Sequence, residues 1–319
     1  RTDSMSDTTL ATPLAVATDA AAHDLSEVRD WVVLLKPRVI SLVVLTGVVG
    51  LLVAPGSLHP SLAVAAVLCI ALGAGAAGAI NMWYDRDIDA RMKRTATRPI
   101  PAGRIPAGAA LGYGVTLAVA SVLIMGLATN PVAAGVLALS IGFYVFVYTM
   151  WLKRRTPQNI VIGGAAGAFP PVIGWAAVTG DIALAPMVLF AIIFLWTPPH
   201  FWSLSLFAHA DYERVGVPML PVTHGARETR RQVLLYTLLL VPLTFAPWAL
   251  GFAGPVYGAA AGLLGAGFLR HAWAVWTDDQ DPAGRSRTGD RPARRAFRYS
   301  LSYLALLFVA LAVDRMILG

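Results

Sequence analysis

The sequence has 319 residues, of which 57% are apolar and only 13% are charged. Soluble domains carry about 25% charged residues, so the composition excludes a soluble globular protein. The formal net charge of +7 comes from Lys and Arg residues in the segments between apolar blocks, and it therefore gives no reason to expect a nucleic-acid partner.

The chain begins with a polar tail and then becomes strongly apolar. Residues 1–27 are rich in Ala, Thr and Ser and lack a basic segment followed by an apolar one, which is the pattern of a signal peptide. We expect this tail to be disordered. Residues 28–319 are predicted to form a single intramembrane domain.

Nine apolar segments follow the tail, each close to the length that crosses the hydrocarbon core of a bilayer as a helix. Pro and Gly residues mark the turns between them. The chain is therefore predicted to be an all-α polytopic membrane protein with nine transmembrane helices. The predicted spans are 39–54, 61–84, 107–128, 131–151, 160–178, 184–207, 233–252, 255–276 and 299–318.

Lys and Arg residues are distributed unevenly over the loops between these spans. The loops after spans 1, 3, 5 and 7 contain none, whereas those after spans 2, 4, 6 and 8 are all basic. Basic loops collect on the cytoplasmic side of a membrane. We therefore expect a cytoplasmic N-terminus, an external C-terminus and a location in the bacterial inner membrane, in contact with membrane lipid.

Three polar side chains lie at the cytoplasmic end of the second span, at positions i, i+4 and i+8. Asn81, Asp85 and Asp89 each fall about 40° further round a helix than the one before, so they share one face, from which Asp87 points away. Carboxylate and amide oxygens suit a Mg²⁺ ion that also binds substrate phosphates. A plainer alternative is that the acids balance nearby arginines.

Basic residues surround these three side chains on the same predicted membrane face. Guanidinium and ammonium groups bind phosphate oxygens, so the acids and the cations together predict a metal-assisted diphosphate site. For the cations after span 4, the alternative is a topology signal alone. The two groups are Arg91, Lys93, Arg94 and Arg98 behind the acids, and Lys153, Arg154 and Arg155 after span 4.

A second polar group begins inside span 6. His200 follows a Pro-Pro pair, and an ionisable side chain within a membrane helix is a functional candidate. The alternative is a structural histidine bonded to a neighbouring helix. Asp211 and Glu213 begin the next cytoplasmic loop. We expect Asp211, rather than Glu213, to contribute to metal binding, because their i, i+2 spacing would place the two carboxylates on opposite sides of a helix.

These segments resemble the intramembrane prenyltransferases of the UbiA superfamily, and among them the branch that farnesylates heme. The Asn-x3-Asp-x3-Asp pattern carries the resemblance to the superfamily. Many members have several aspartates after span 6, where this chain has few, so a symmetric second metal site is not expected. The resemblance to the heme branch is carried by Leu35-Lys-Pro-Arg38, Asp89–Pro99, Trp196-Thr-Pro-Pro-His-Phe-Trp202 and Asp211–Pro221.

The resemblance implies a UbiA-like bundle of helices around a central cavity, with Mg²⁺ as cofactor. It implies transfer of a farnesyl group from farnesyl diphosphate to a vinyl group of heme B, giving heme O for a downstream heme-modifying enzyme. Asp85, Asp89 and His200 would be catalytic, and Lys36, Arg38 and His200 would bind heme. The sequence leaves open whether His200 ligates the iron, orients a propionate or acts as a base.

Three alternatives remain at this point. A prenyltransferase of the same family would use another acceptor. A CDP-alcohol phosphatidyltransferase also uses aspartates at a helix end, but its Asp-Gly element is missing before Ala90-Arg91. A transporter would be expected to place its ionisable groups near the middle of the membrane, whereas here they cluster at one mouth.

Overall fold

The computed structural model describes residues 26–282 and 284–318, and the regular elements within these ranges are helical. Extended residues pair there only in an isolated bridge between Gln280 and Ser286. The predicted all-α class is thereby confirmed. Most of the predicted disordered tail, residues 1–25, lies outside the described residues.

The first half of the chain forms a short helix, α1, and then a series of long apolar helices. Several begin with proline, which suits the first helical position because its φ is fixed and no N–H is left unsatisfied. The elements are α1 (Val28–Leu34), α2 (Pro37–Val53), α3 (Pro60–Tyr84), α4 (Arg86–Asp89), α5 (Ala107–Ala128), α6 (Pro131–Gly142), a π-helix (Phe143–Leu152), α7 (Asn159–Ala168) and α8 (Pro170–Thr179).

The second half contains long helices joined by short helical connections. These elements are α9 (Leu184–Phe207), α10 (His209–Arg214), α11 (Leu220–Thr223), α12 (Gly225–Leu243), α13 (Ala246–Ala249), α14 (Pro255–Trp276) and α15 (Arg291–Leu318). Both α12 and α15 begin before the predicted spans at 233 and 299. In α15 the extra turns bury Ala293 and Ala296 while arginines face outward, so part of the loop predicted at 285–298 is helical.

The number of membrane spans differs from the prediction. Within the described ranges, seven helical segments are long and apolar enough to cross a membrane, and α1 with α2, bent by 53°, makes an eighth if the pair is one span. Each predicted span lies on one helix or on two consecutive helices, but the count of nine is not confirmed. The predicted span at 255–276 forms α14, which is long enough to cross a membrane but is not counted among the apolar segments. Its glycines, Arg270 and His271 lower its mean hydropathy. The chain is an integral membrane protein.

Helices α2 and α8 pack backbone against backbone. A Cβ atom on Gly50 would lie 2.2 Å from the carbonyl oxygen of Pro171, and one on Gly174 would lie 2.1 Å from that of Gly47. Only glycine permits such an approach, as is common between membrane helices. The chain breaks at Phe169 between α7 and α8, just before two consecutive prolines.

A buried arginine ties the last loop to the bundle. Arg230 in α12 is almost fully buried. Its guanidinium donates to the carbonyl oxygen of Gly284 at 2.8 Å and to Asp290 at 3.1 Å, and it lies 3.6 Å from Asp278. A buried charge requires such partners. The loop before α15 is therefore anchored to α12.

A buried carboxylate near the C-terminal end of α15 joins that helix to the start of α14. Asp314 in α15 accepts hydrogen bonds from the backbone N–H groups of Gly254, Val256 and Tyr257, at the start of α14. These groups have no partner within their own helix, and a negative charge is favourable at a helix N-terminus. Asp314 thus holds α14 and α15 in register.

Candidate active site

The polar side chains at the end of α3 stay on one side of the chain although the helix is interrupted there. We call Asn81, Asp85 and Asp89 the ligand strip. The N–H groups of Asp85 and Asp89 donate to the carbonyl oxygens four residues earlier, at 2.9 and 2.8 Å, which preserves helical register. All three side chains are buried, and the Asn81 amide donates to Asp85 at 2.7 Å. The predicted i, i+4, i+8 arrangement is present.

Two cations lie directly on the carboxylates of the strip. Lys153, just beyond the π-helix, donates to Asp85. Arg98, from the basic segment after α4, donates to Asp89 at 2.6 Å. Both are residues that the sequence predicted to bind diphosphate. Their contact with the carboxylates confirms the predicted convergence of the two loops, and it shows how the buried acids are neutralised in this state.

A third cation reaches the strip from the start of α2. Lys36 donates to the side-chain carbonyl of Asn81 at 2.7 Å. Its backbone has a φ of 56°, a left-handed conformation that costs energy for a non-glycine residue and marks functional sites. The side chain lies close to Gly78, where a Cβ would be 3.4 Å from the Lys36 Cδ. Lys36, which the resemblance implies would bind heme, therefore contacts the ligand strip.

Arg154 links the strip to Asp87, the acid that the sequence analysis placed off the shared helix face. It donates to both carboxylate oxygens of Asp87, at 2.6 and 2.8 Å, and more weakly to Asp85 at 3.4 Å. These hydrogen bonds lower the pKa of the Asp87 carboxyl below its usual range. The Asp87 side chain is 53% exposed, whereas the strip is buried. Asp87 accordingly lies outside the strip, as its position on the helix predicted.

The π-helix supplies further contacts with the strip. Its last bond joins the N–H of Lys153 to the carbonyl oxygen of Tyr148 at 2.9 Å. Thr149 accepts a hydrogen bond from the Asn81 amide at 3.2 Å. Tyr148 fits because residue 163 is glycine; a Cβ on Gly163 would lie 2.2 Å from the Tyr148 ring. Such wide helical turns are rare and are found mostly at functional sites.

An apolar cavity adjoins the strip. Lys36 lines the cavity and also contacts Asn81, so one end is charged and the remainder is hydrophobic. The aliphatic lining includes Val39, Val43, Ile70, Leu137, Ile141 and Ile173, with the ring of Tyr144 among them.

The remaining predicted cations lie at the surface. Their side chains are exposed, and the Arg91 guanidinium donates only to the backbone carbonyl of Asp87, at 3.3 Å. Within the described ranges, the others make no side-chain hydrogen bond or ion pair. These residues surround the mouth of the site without contacting the strip, and they are Arg38, Arg91, Lys93, Arg94 and Arg155.

Asp211 lies in α10, where Arg214 donates to it at 3.3 Å. Tyr212, next to it, packs in one apolar cluster with Ile88 and Met92, so this helix lies against the segment that follows the strip. In the part of the chain that the structure describes, however, no three His, Cys, Asp or Glu side chains converge as a metal site. A metal contact of Asp211 therefore stays a prediction.

His200 faces α15 rather than the strip. Its Nδ1 lies 2.7 Å from the hydroxyl of Ser300, and its ring stacks on Trp196 and Phe297. The next residue, Phe201, packs against the cluster that contains Ile88. The histidine is thus held by the neighbouring helix α15. The residue after it, Phe201, borders the segment that carries the strip.

The donor set of the strip is suitable for magnesium. Two carboxylates and an amide oxygen are hard ligands of the kind Mg²⁺ prefers, with substrate phosphates and water completing its shell. Because three cations accompany two carboxylates there, the site also has an excess of positive charge for an anion. The arrangement can bind a metal–diphosphate at its charged end and an apolar chain in the cavity.

Comparison with known proteins identifies relatives over nearly the whole chain. Residues 43–301 match the model of the UbiA prenyltransferase family. A protoheme IX farnesyltransferase of Granulibacter bethesdensis is 67% identical over 293 residues, covering 92% of each chain. Another, from Acidiphilium cryptum, is 62% identical over 317 residues, covering 98% of this chain and 100% of the relative.

A solved structure shows a similar fold. It is a UbiA homologue from Archaeoglobus fulgidus bound to DMAPP and Mg²⁺, with a TM-score of 0.63 and 18% sequence identity. The match covers 89% of this chain and 99% of that one. The bundle predicted from the sequence is therefore of a known architecture.

Proposed function

The chain belongs to the UbiA prenyltransferase family, and we propose that it transfers the farnesyl group of farnesyl diphosphate to a vinyl group of heme B, giving heme O. The observation that carries the proposal is a buried, cation-neutralised ligand strip that adjoins an apolar cavity. The choice of donor and acceptor is supported by the relatives at 67% and 62% identity, both named protoheme IX farnesyltransferases.

We assign Mg²⁺ to the ligand strip, with Asn81, Asp85 and Asp89 as its protein ligands. The hard oxygen donors and their burial support this assignment, as does the Mg²⁺ in the Archaeoglobus fulgidus homologue. When bound, the metal supplies Lewis-acid stabilisation of a diphosphate leaving group. Asp211 is a candidate for a further contact from α10.

The cations that now lie on the strip act on the diphosphate. Lys153 and Arg98 occupy the carboxylates that a metal would take, so binding of the metal frees them to turn onto phosphate oxygens. Lys36 does the same from the cavity side. These groups stabilise the charge that grows on the diphosphate as its bond to the farnesyl carbon breaks.

The apolar cavity holds the farnesyl chain and shelters its reactive end. Loss of diphosphate leaves an allylic cation, which survives only where water is excluded. The Tyr144 ring, which lines the cavity, offers a π face to that cation. The vinyl group of heme attacks the allylic carbon. Water then adds to the carbon that becomes electron-deficient, and the added water loses a proton to leave a hydroxyl group.

The wider arrangement follows from the same reasoning. We propose that residues 28–319 act as one domain, because α2 packs against both α8 and α15 and contacts therefore join the two halves. The distribution of basic residues supports a cytoplasmic position for the site in a bacterial inner membrane. From there the product would pass to a downstream heme-modifying enzyme.

The test is a reconstituted reaction. Purified full-length protein is incubated with farnesyl diphosphate, Mg²⁺ and heme B, and the porphyrins are analysed by mass spectrometry. We expect heme B to gain one farnesyl group and one hydroxyl group. A folded protein that forms no such product would contradict the proposed acceptor, and other prenyl acceptors would then be tested in the same assay.

A further inference from the structure

His200 lies in a rigid sandwich that the diphosphate site does not explain. Its ring stacks on Trp196, with centroids 4.3 Å apart and an angle of 16° between planes, and on Phe297, at 4.7 Å and 24°. One aromatic plate belongs to α9 and the other to α15. Together they fix the plane of the imidazole. A side chain that only filled space would not require a fixed ring plane.

The hydrogen bonds around Ser300 determine which ring nitrogen carries the proton. The Ser300 hydroxyl lies 2.8 Å from the carbonyl oxygen of Phe297 and 2.7 Å from His200 Nδ1. A carbonyl oxygen can only accept, so the single hydroxyl proton is donated to Phe297. The hydroxyl oxygen must then accept from Nδ1–H. Neutral His200 therefore carries its lone pair on Nε2.

The position of Ser300 is itself fixed by the aromatic plate. The Trp196 indole N–H donates to the Ser300 carbonyl oxygen at 2.8 Å, so the residue that stacks on the imidazole also holds the backbone of its hydrogen-bond partner. Meanwhile, His200 is partly exposed, and no described protein group bonds its Nε2. The Nε2 lone pair is therefore available to a ligand.

We propose that His200 Nε2 ligates the iron of the heme substrate, with Ser300 as the positioning residue that fixes the tautomer. Neutral imidazole is a common metal ligand, and ligating histidines usually donate their other N–H to an oxygen, as here. An anionic propionate would require an N–H donor at Nε2, so the tautomer disfavours that role. The inference rests on the proposed function, because it takes heme to be the acceptor.

The location of His200 suits an acceptor that must meet the prenyl donor. Phe201 packs against the cluster containing Ile88 and Met92. Ile88 directly precedes Asp89, the last residue of the ligand strip, and Met92 lies three residues after it. Heme held by His200 therefore lies at the same mouth as the diphosphate. The iron would be anchored on α9, and a vinyl group at the macrocycle edge is left to react.

The test is spectroscopic and uses no prenyl donor. Purified full-length protein is titrated with heme B, and the ferrous form is examined for the iron–imidazole stretching band by resonance Raman spectroscopy. The wild type should show the band. His200→Ala should lose it and bind heme at least 10-fold more weakly, and free imidazole should restore it. His271→Ala, which removes a histidine packed on Tyr299, should behave as the wild type.

Variants of Ser300 separate positioning from packing. Ser300→Ala should keep the band but weaken heme affinity about 10-fold, whereas Ser300→Thr, which retains the hydroxyl, should match the wild type. Should His200→Ala fail to fold, His200→Met provides the same test. Its thioether can ligate the iron in place of the imidazole, so the iron–imidazole band should be lost.

Two results would overturn the inference. The first is a His200 variant that retains the imidazole band and heme affinity. The second is a variant that loses farnesyl transfer while its heme spectrum is unchanged, which would make His200 a base. Farnesyl transfer by the wild type is measured on the same preparation. If the wild type forms product, a failed ligation test rejects only the iron ligand; if it forms none, the proposed function itself fails.

Discussion

Replacing Asp85 with Asn tests the ligand strip by removing one charge while keeping the shape of the side chain. The Asp85 carboxylate is fully buried and accepts from Asn81, Lys153 and Arg154. Removing one partner of a buried ion pair costs about 3–5 kcal/mol. Because Arg154 keeps its bond to Asp87 at 2.6 Å, the loss falls mainly on Lys153. We expect a decrease of about 3 kcal/mol in the free energy of unfolding.

The effect on catalysis should be measurable apart from the effect on folding. Loss of one preorganised stabilising group lowers turnover about 10²–10³-fold, and we expect that decrease in heme product from Asp85→Asn protein that is still folded by thermal unfolding. Asp87→Asn is the matched control, since its side chain is exposed and, among the described residues, forms its ion pair with Arg154. Near-normal turnover by Asp85→Asn, or an equal decrease in both variants, would refute the assignment of the strip.

Three further variants and conditions test other parts of the site. Gly163→Ala should displace the Tyr148 ring, destabilise the protein by about 1–3 kcal/mol and lower turnover, whereas Gly135→Ala, which meets no neighbour, should leave thermal stability and turnover unchanged. Asp314→Ala should cost about 2 kcal/mol of stability through the lost helix cap, with normal turnover per folded molecule; reduced turnover would show coupling between the two ends. Chelation of divalent metal should abolish product and excess Mg²⁺ should restore it, while activity that persists in chelator would exclude a metal-dependent reaction.

The local part of the site was predictable because helical periodicity determines it. Asn81, Asp85 and Asp89 are separated by four residues, and that spacing alone places them on one face. The contact of Lys36 with Asn81 was not predictable, because it joins residues 45 positions apart through a left-handed backbone. Thr149 was also missed, since a π-helix in an aromatic segment has the same composition as an ordinary membrane helix.

Buried charge was the other feature that sequence patterns did not indicate. Arg230 lies in a basic segment whose plainest interpretation is a topology signal, yet its guanidinium is buried between Asp278 and Asp290. Composition describes how many charges a loop has, whereas tertiary packing determines which one is enclosed. Hydropathy alone also does not determine the number of spans, since α14 packs as a long helix in spite of its modest hydropathy.

The most direct test of the account is to locate the metal. Crystals grown with Mn²⁺ and a non-hydrolysable farnesyl diphosphate analogue would reveal the ion by its anomalous scattering. We predict manganese bound by Asp85 and Asp89, with Lys153 and Arg98 turned from these carboxylates onto phosphate oxygens. Manganese bound at Asp211 alone, with the strip still closed by its two cations, would contradict the central claim.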